Sequence, residues 1–346
     1  MNDIFLSIAI PTFNRKNNLL NLIDSLKNQI LIDDIKDVEI IVSDNCSTDT
    51  TEKELKNWIT KNSEININYI RNSSNLGFDV NVYKAIKATK GEFVWTLGDD
   101  DELNVKALSL VLNAIKSNNK KNDLVFCFIN YYLEIGGKKL SPEVNFKNNF
   151  VIDGENLFIK TNFASSFVSS NIFKRSVWLE NDFNQYYGTL WYHFFVQRDI
   201  LVGEKALIIS NPLICQKQSD LQTSRNEKSN NDPDILEFYI NAHINFLKFA
   251  FSLEEYNYSS NIIRLAKSFA WIETFRQAIY YKITVKSYLI HEIFIIIKEL
   301  SRFFSLKPLF WVLILPLLIM PSSFIIFLYK LTLPLYHYIK KKITTN

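Results

Sequence analysis

The chain has 346 residues, 47% of them hydrophobic and 22% charged, with a formal net charge of +3. That size and balance exclude a disordered chain and leave room for one large domain plus an appendage. A net charge so near zero gives little reason to expect a nucleic-acid binder. Three scattered cysteines, Cys46, Cys127 and Cys215, show no metal-ligand spacing and read as reduced thiols.

The N-terminus, MNDIFLSIAIP, lacks a basic start, and Pro11 cuts its apolar run short. It does not read as a signal peptide, so the body is expected to stay on the side where it was made. Ile4–Ile10 is an apolar run of strand length, and Leu19, Leu22, Ile23, Leu26 and Ile30 then repeat at helical spacing. Val38–Val42 reads as a second buried strand. Asp49 with Glu52 three residues on starts a helix with Leu55, Trp58 and Ile59 on one face. Ile65, Ile67 and Tyr69 alternate as a third strand. Val82, Tyr83 and Ile86 mark a helix, Phe93–Leu97 a fourth strand, Leu108 to Ile115 a helix and Leu124–Phe128 a fifth strand.

Strands alternating with helices predict an α/β fold with a mostly parallel, doubly wound sheet. Ligands gather at the carboxyl ends of such strands. The polar clusters PTFNR, SDNCSTD, RNSSNLGFD and GDDDE all fall there, which predicts one shared pocket. Beyond residue 130 the pattern loosens. Gly136–Gly137 suggests a hairpin, Phe167–Phe173 a strand and Leu190–Leu201 a helix; 233–300 reads as amphipathic helices rich in Phe and Tyr.

In FVWTLGDDDEL a buried strand runs into four consecutive acids. Adjacent carboxylates at a strand end suit a hard divalent cation, Mg²⁺ or Mn²⁺, with a substrate diphosphate completing its shell. The bland reading is a solvated acidic helix start. Asp44 ends the second strand and can accept a hydrogen bond from uracil N3–H or the cytosine amino group. Thr12, Asn14 and Arg15 can hold base, ribose or phosphate, and Gly77 in NLGF permits a close approach of backbone to ligand or simply makes a tight turn.

SIAIPTFNR, EIIVSDNCSTD, RNSSNLGFD and KGEFVWTLGDDDEL, in this order and spacing, resemble family 2 glycosyltransferases of the GT-A nucleotide-sugar-binding fold. The three-acid variant with FVSSNIFKR downstream is most similar to abequosyltransferase-type enzymes of bacterial surface polysaccharide synthesis. The resemblance implies a nucleotide-diphosphate sugar donor, a divalent metal and inverting transfer to an acceptor hydroxyl. It places Pro11, Thr12, Asn14, Arg15, Asp44, Asn75 and Gly77 on the donor, Asp99 at the ribose, Asp100 on the metal and Asp101 in support of it. Many members carry an Asp where Gly98 stands, which leaves the ligand pair open. Relatives often place an acidic general base at the start of an acceptor-side helix. The corresponding YYGTLWYHFF has no acid, so His193 is the candidate base and Asp182 the fallback.

These readings divide the chain into a GT-A domain over 1–225 (nucleotide-sugar half 1–130, acceptor half 131–225), a helical region over 233–300 and an apolar basic tail over 301–346. From Lys282 onward nine Lys/Arg face two acids, against thirty and thirty-four before it. Leu309 to Tyr329 holds 21 uncharged residues, the length of one span of about 20, but Pro316, Pro321, Ser322 and Ser323 interrupt it. Basic residues flank both ends, so a hairpin or interfacial helices at the cytoplasmic membrane surface, peripheral or monotopic, are expected over a single span. A buried helical pair in a soluble protein is the plain alternative. A tail of that kind supports a lipid-linked oligosaccharide acceptor, because it would hold the active site near the bilayer. Direct transfer to polyprenyl phosphate and a non-catalytic nucleotide-sugar binder stay open; a nucleotidyltransferase would want a glycine-rich loop after strand one, and PTFNRKNN has none.

Overall fold

The computed structural model describes residues 4–135, 137–217, 233–284, 290–304 and 311–312, and the chain divides into two compact units, Met1–Gln218 and Ser219–Asn346. The first unit opens with β1 (Leu6–Thr12), every residue of which is buried, and α1 (Lys16–Ile32). A strand buried on both faces must be apolar along its whole length, which LSIAIPT nearly is. Helix α1 buries Leu19, Leu22, Ile23 and Leu26, one face of a 3.6-residue period. There follow β2 (Val38–Asp44), α2 (Thr51–Lys61), β3 (Ile67–Arg71), α3 (Phe78–Lys87), β4 (Phe93–Thr96), β5 (Glu102–Leu103), α4 (Ala107–Asn118) and β6 (Leu124–Ile135). The later part adds β7 (Lys138–Lys139), β8 (Phe150–Asp153), α5 (Leu157–Lys160), β9 (Asn171–Lys174), α6 (Arg175–Leu179), α7 (Tyr192–Leu201) and β10 (Lys205–Lys217).

The strands form one sheet in the order β3-β2-β1-β4-β9-β6-β10-β5. The first four are parallel, β9 runs antiparallel between β4 and β6, and β10 is again parallel to β6. β7 folds back on β6 as the hairpin expected at Gly136–Gly137, and β8 pairs with β10. The register positions the site. β1 and β2 pair from Leu6↔Val38 to Thr12↔Asp44, whereas β1 and β4 part after Ala9↔Thr96. Pro11, which has no N–H to donate, sits in that overhang, where no β4 ladder bond is lost. The chains diverge there, and a crevice opens at the carboxyl ends of the strands.

One expectation is corrected, and one strand is added. Phe167–Phe173 is not one strand: Ala164–Ser166 and Val168–Ser170 form 3₁₀ turns, and β9 begins only at Asn171. Serine hydroxyls compete for the ladder here, as Ser170 Oγ donates to the Phe167 carbonyl at 2.6 Å. The thirteen-residue β10 is a further strand not read from the sequence, because Pro212 breaks its apolar run and shifts its register between Ile209 and Ile214. At that shift the acid-bearing loop is tied down. The Asn104 N–H donates to the Leu213 carbonyl at 2.9 Å and its Nδ2 to the Pro212 carbonyl at 2.6 Å.

The second unit contains α8 (Pro233–Ser252), α9 (Ser260–Thr284) and α10 (Ile290–Phe304). Leu247, Ala250, Ala266 and Ala270 are fully buried, and the Phe304 ring meets Phe251 at 5.8 Å and Trp271 at 5.0 Å. Among the described residues no helix is long and apolar enough to cross a membrane. The tail expected over 301–346 lies outside the described residues beyond Phe304, save the exposed Trp311 and Val312.

Candidate active site

The end of β1 touches the acid loop that follows β4. Thr12 Oγ1 donates to Asp99 Oδ2 at 2.6 Å, and Arg15 Nη1 reaches Asp99 Oδ1 at 2.9 Å and Asp100 Oδ2 at 2.8 Å. Asp99 and Asp101 are buried, while the Asp100 side chain keeps 18% of its surface open. A cavity of about 300 Å³ adjoins the three acids and is bounded by Asn18, Asn21 and Ser25 of α1 and by Glu102 and Lys217. The four consecutive acids therefore divide: Glu102 turns to Lys217, Asp99 and Asp100 flank Arg15, and Asp101 turns to Ser169.

Arg15 pairs with Asp99 and Asp100 alone, and Asp101, held by Ser169, adds a third carboxyl that no cation pairs with among the described residues. Burial pushes the Asp99 carboxyl up to about 6 even though Arg15 pulls the other way, and Asp100 adds to the rise. Burial, then the Asp100 charge, lifts Asp101 well above the carboxylate range. Burial works against the charge on Arg15, but Asp99 and Asp100 outweigh it and raise its pKa. Such a cluster, all hard oxygen donors and short of positive charge, fits Mg²⁺ or Mn²⁺.

Gly98 and Ser169 explain the departure from the familiar acid pattern. A Cβ at Gly98 would stand 2.8 Å from Asp101 Oδ2 and 3.2 Å from Ser169 Oγ, so Asp101 fills the space a side chain there would take. Ser169, which sequence reading did not single out, donates its hydroxyl to Asp101 Oδ2 at 2.5 Å and accepts the Gly98 N–H at 2.8 Å. Its carbonyl accepts the Trp95 indole N–H at 2.7 Å, and Val168 O accepts the Thr96 hydroxyl at 3.0 Å. The signal lay in the FVSSN stretch, quoted above only for its resemblance.

The nucleoside side is tightly bonded. Asp44 is fully buried; its Oδ1 accepts the Ser47 N–H at 2.8 Å and its Oδ2 the Tyr69 hydroxyl at 2.7 Å. Asn14, at φ +53°, uses its carboxamide oxygen on the Thr48 N–H at 2.7 Å, locking the loop after β1 to the loop after β2. Asn75 Oδ1 accepts Asn45 Nδ2 at 2.7 Å and the Gly77 N–H at 3.0 Å. Asn45, Asn72 and Asn81 complete a carboxamide network across β2, the β3–α3 loop and α3. None of these three was anticipated, because lone asparagines carry no pattern. Arg71, at the end of β3, donates to the Ser47 carbonyl at 2.9 Å and pairs with Glu52 at 3.2 Å.

His193 is corrected. It is 4% exposed on α7, its Nε2 lies 2.7 Å from the Ser166 carbonyl, and burial lowers its pKa to about 4. The aromatic helix that was expected to present it to an acceptor instead turns it inward. With Gln197, which donates to the Ser165 carbonyl at 3.0 Å, it braces the segment bearing Ser169 from behind. Asp182 is exposed and caps the Asn184 N–H at 3.0 Å. The cysteines, scattered in sequence, are not all isolated in space: Cys215 Sγ lies 3.6 Å from Glu134 Oε2, with Glu102 beside them.

The profile of glycosyl transferase family 2 matches residues 7–175. The chain is 30% identical over 236 residues to abequosyltransferase RfbV of Salmonella typhimurium, spanning 63% of this chain and 68% of that protein. It is 31% identical over 207 residues to the GalNAc(5)-diNAcBac-PP-undecaprenol beta-1,3-glucosyltransferase of Campylobacter jejuni, spanning 57% and 62%. The fold superposes on S. aureus TarS, solved with UDP-GlcNAc, with a TM-score of 0.64 at 15% identity, over 88% of this chain and 82% of that one. With the strand-end pocket, the acid loop and these similarities together, the chain belongs to glycosyl transferase family 2 and carries its GT-A fold.

Proposed function

We propose that this glycosyltransferase moves a sugar, with inversion, from a nucleoside-diphosphate sugar to a hydroxyl of a lipid-linked oligosaccharide in bacterial surface-glycan assembly. The observation that carries the donor half is the contact of Thr12 and Arg15 with Asp99 and Asp100, which brings two strand ends and a surplus of carboxylate into one crevice. Asp100 and Asp101 would hold the divalent ion, which when bound neutralises charge growing on the leaving diphosphate. Thr12 and Arg15 hold Asp99 toward the nucleoside side, and Ser169 keeps Asp101 in place. The relative named for an undecaprenol-linked substrate supports the acceptor half.

A melting series with UDP, CDP, GDP and ADP, each with and without Mn²⁺, tests the donor reading. One diphosphate is expected to raise Tm only when the ion is present, because a ligand that binds only the folded form at about 100 times its Kd adds about 2.7 kcal/mol. Stabilisation by nucleotide with no ion dependence would count against it. The proposed station is the cytoplasmic membrane face, reached through the basic, apolar tail. The full chain is expected to co-sediment with vesicles containing anionic phospholipid and to lose this on removal of residues 305–346, which leaves the packed Phe304 in place. Equal binding by the shortened chain would overturn the tail's role.

A further inference from the structure

Asp79 was not among the expected site residues, yet it lies 2% exposed at the start of α3. Its Oδ2 accepts the Leu190 N–H at 3.0 Å, from a residue 111 positions away, while Oδ1 is buried with no hydrogen-bond partner. The N–H groups of Gly188, Thr189 and Tyr192 also lie close enough to favour its charged form. Gly188 at φ +81° and Leu190 at φ +64° turn this stretch around the carboxylate, a strained conformation for leucine. Among the described residues no Lys or Arg forms an ion pair with Asp79; the titratable groups around it are Tyr83 on α3, Tyr187 before the turn and Tyr192 on α7, and Asp182 acts on Tyr187. The Tyr83 and Tyr187 rings meet at 5.8 Å.

We propose that Asp79 is a positioning residue that clamps the 188–192 turn of the acceptor half onto α3 of the nucleotide half. The inference rests on the reading of 131–225 as the acceptor side. Asp79 follows Gly77 by two residues, and the Gly77 carbonyl accepts Asn45 Nδ2 at 3.2 Å. One short segment therefore holds the donor-side network at one end and the acceptor-side turn at the other. Groups held this way tell the acceptor side where the donor lies, without themselves touching the reacting atoms.

Amide hydrogen exchange on the full chain tests the clamp. Asp79→Ala is expected to lower protection of the 188–192 amides about tenfold or more at neutral pH. Asp79→Asn, which keeps an oxygen for the Leu190 N–H, is expected to restore most of it. The pH response has a definite sign. Burial raises the Asp79 carboxyl to about 6, so the closed turn holds a proton that an opened, solvated Asp79 releases. Wild-type protection, corrected for intrinsic exchange, should therefore rise as pH falls from about 7.5 to about 5.5. The Asn variant should show no such rise. Unchanged protection in Asp79→Ala, or a wild-type pH response in Asp79→Asn, would overturn the proposal. Exchange reads the clamp directly, whereas failure of UDP, CDP, GDP and ADP to bind wild type with Mn²⁺ would sink the transferase reading alone.

Discussion

Asp100→Ala is expected to lower sugar transfer by about a thousandfold or more and to remove the ion dependence of nucleotide binding, with the fold intact. Asp100 is the most open of the three aspartates and hangs on a loop, so nothing packs on it that alanine would leave unsupported. Its charge raises the pKa of both buried neighbours, and Asp99 retains Thr12 and Arg15 after the substitution. Removing it relieves repulsion, and the ion-free variant should melt no lower than wild type. In wild type without the ion, Asp99 keeps its proton up to about 6, while the unfolded chain loses it near 3.8. Stability of that form therefore falls as pH rises through this window, and the fall should be shallower in the variant. Transfer assays with Mn²⁺ titrations, and melts with and without the ion, check each part. A variant that still needs Mn²⁺ would show that Asp100 is not a ligand.

The second large effect is structural. Trp95→Ala is expected to cost about 3–5 kcal/mol, measured by urea unfolding, because a fully buried indole leaves a cavity that close-packed neighbours fill only in part. It also leaves the Ser169 carbonyl without the indole N–H that now holds it at 2.7 Å. Ser169 anchors both Asp101 and Gly98, so the proposed ion site should loosen before the protein melts. Trp95→Phe separates the two effects: it keeps most of the packing, and Mn²⁺ affinity should drop about 10–100-fold with the smaller stability loss. Equal Mn²⁺ affinity in Trp95→Phe and wild type would show that the indole bond plays no part in the site.

The first half of the fold was legible because parallel strands covered on both faces are predominantly apolar. Leu6–Thr12 and Val38–Asp44 are wholly buried, and their shortness, β-branched residues and place between helical periods mark them as strands. The polar strand ends gave the pocket, since Thr12, Arg15 and the aspartates cluster where the register of β1 outruns β4. The later elements hid for physical reasons. β10 is split by Pro212, and the Ser165–Ser170 stretch trades ladder bonds for turn and hydroxyl bonds. His193 misled because an imidazole in an aromatic helix looks the same in sequence whether it faces substrate or core. Asp79 and Ser169 escaped notice because each works through partners 111 and 68 positions away, and no local spacing records such a pairing.

The anchoring of Asn104 by Pro212 and Leu213 has a bearing on how the protein is made. The nucleotide half leaves the ribosome first, but it belongs to one compact unit, Met1–Gln218, whose sheet also takes in β9 and β10. Asn104 waits for carbonyls more than a hundred residues downstream. Until those arrive, the loop that begins at Gly98 is tethered on one side only. A prematurely terminated product would therefore carry all three aspartates yet lack the far-side support of their loop, and vectorial synthesis itself delays competence until nearly the whole first unit exists.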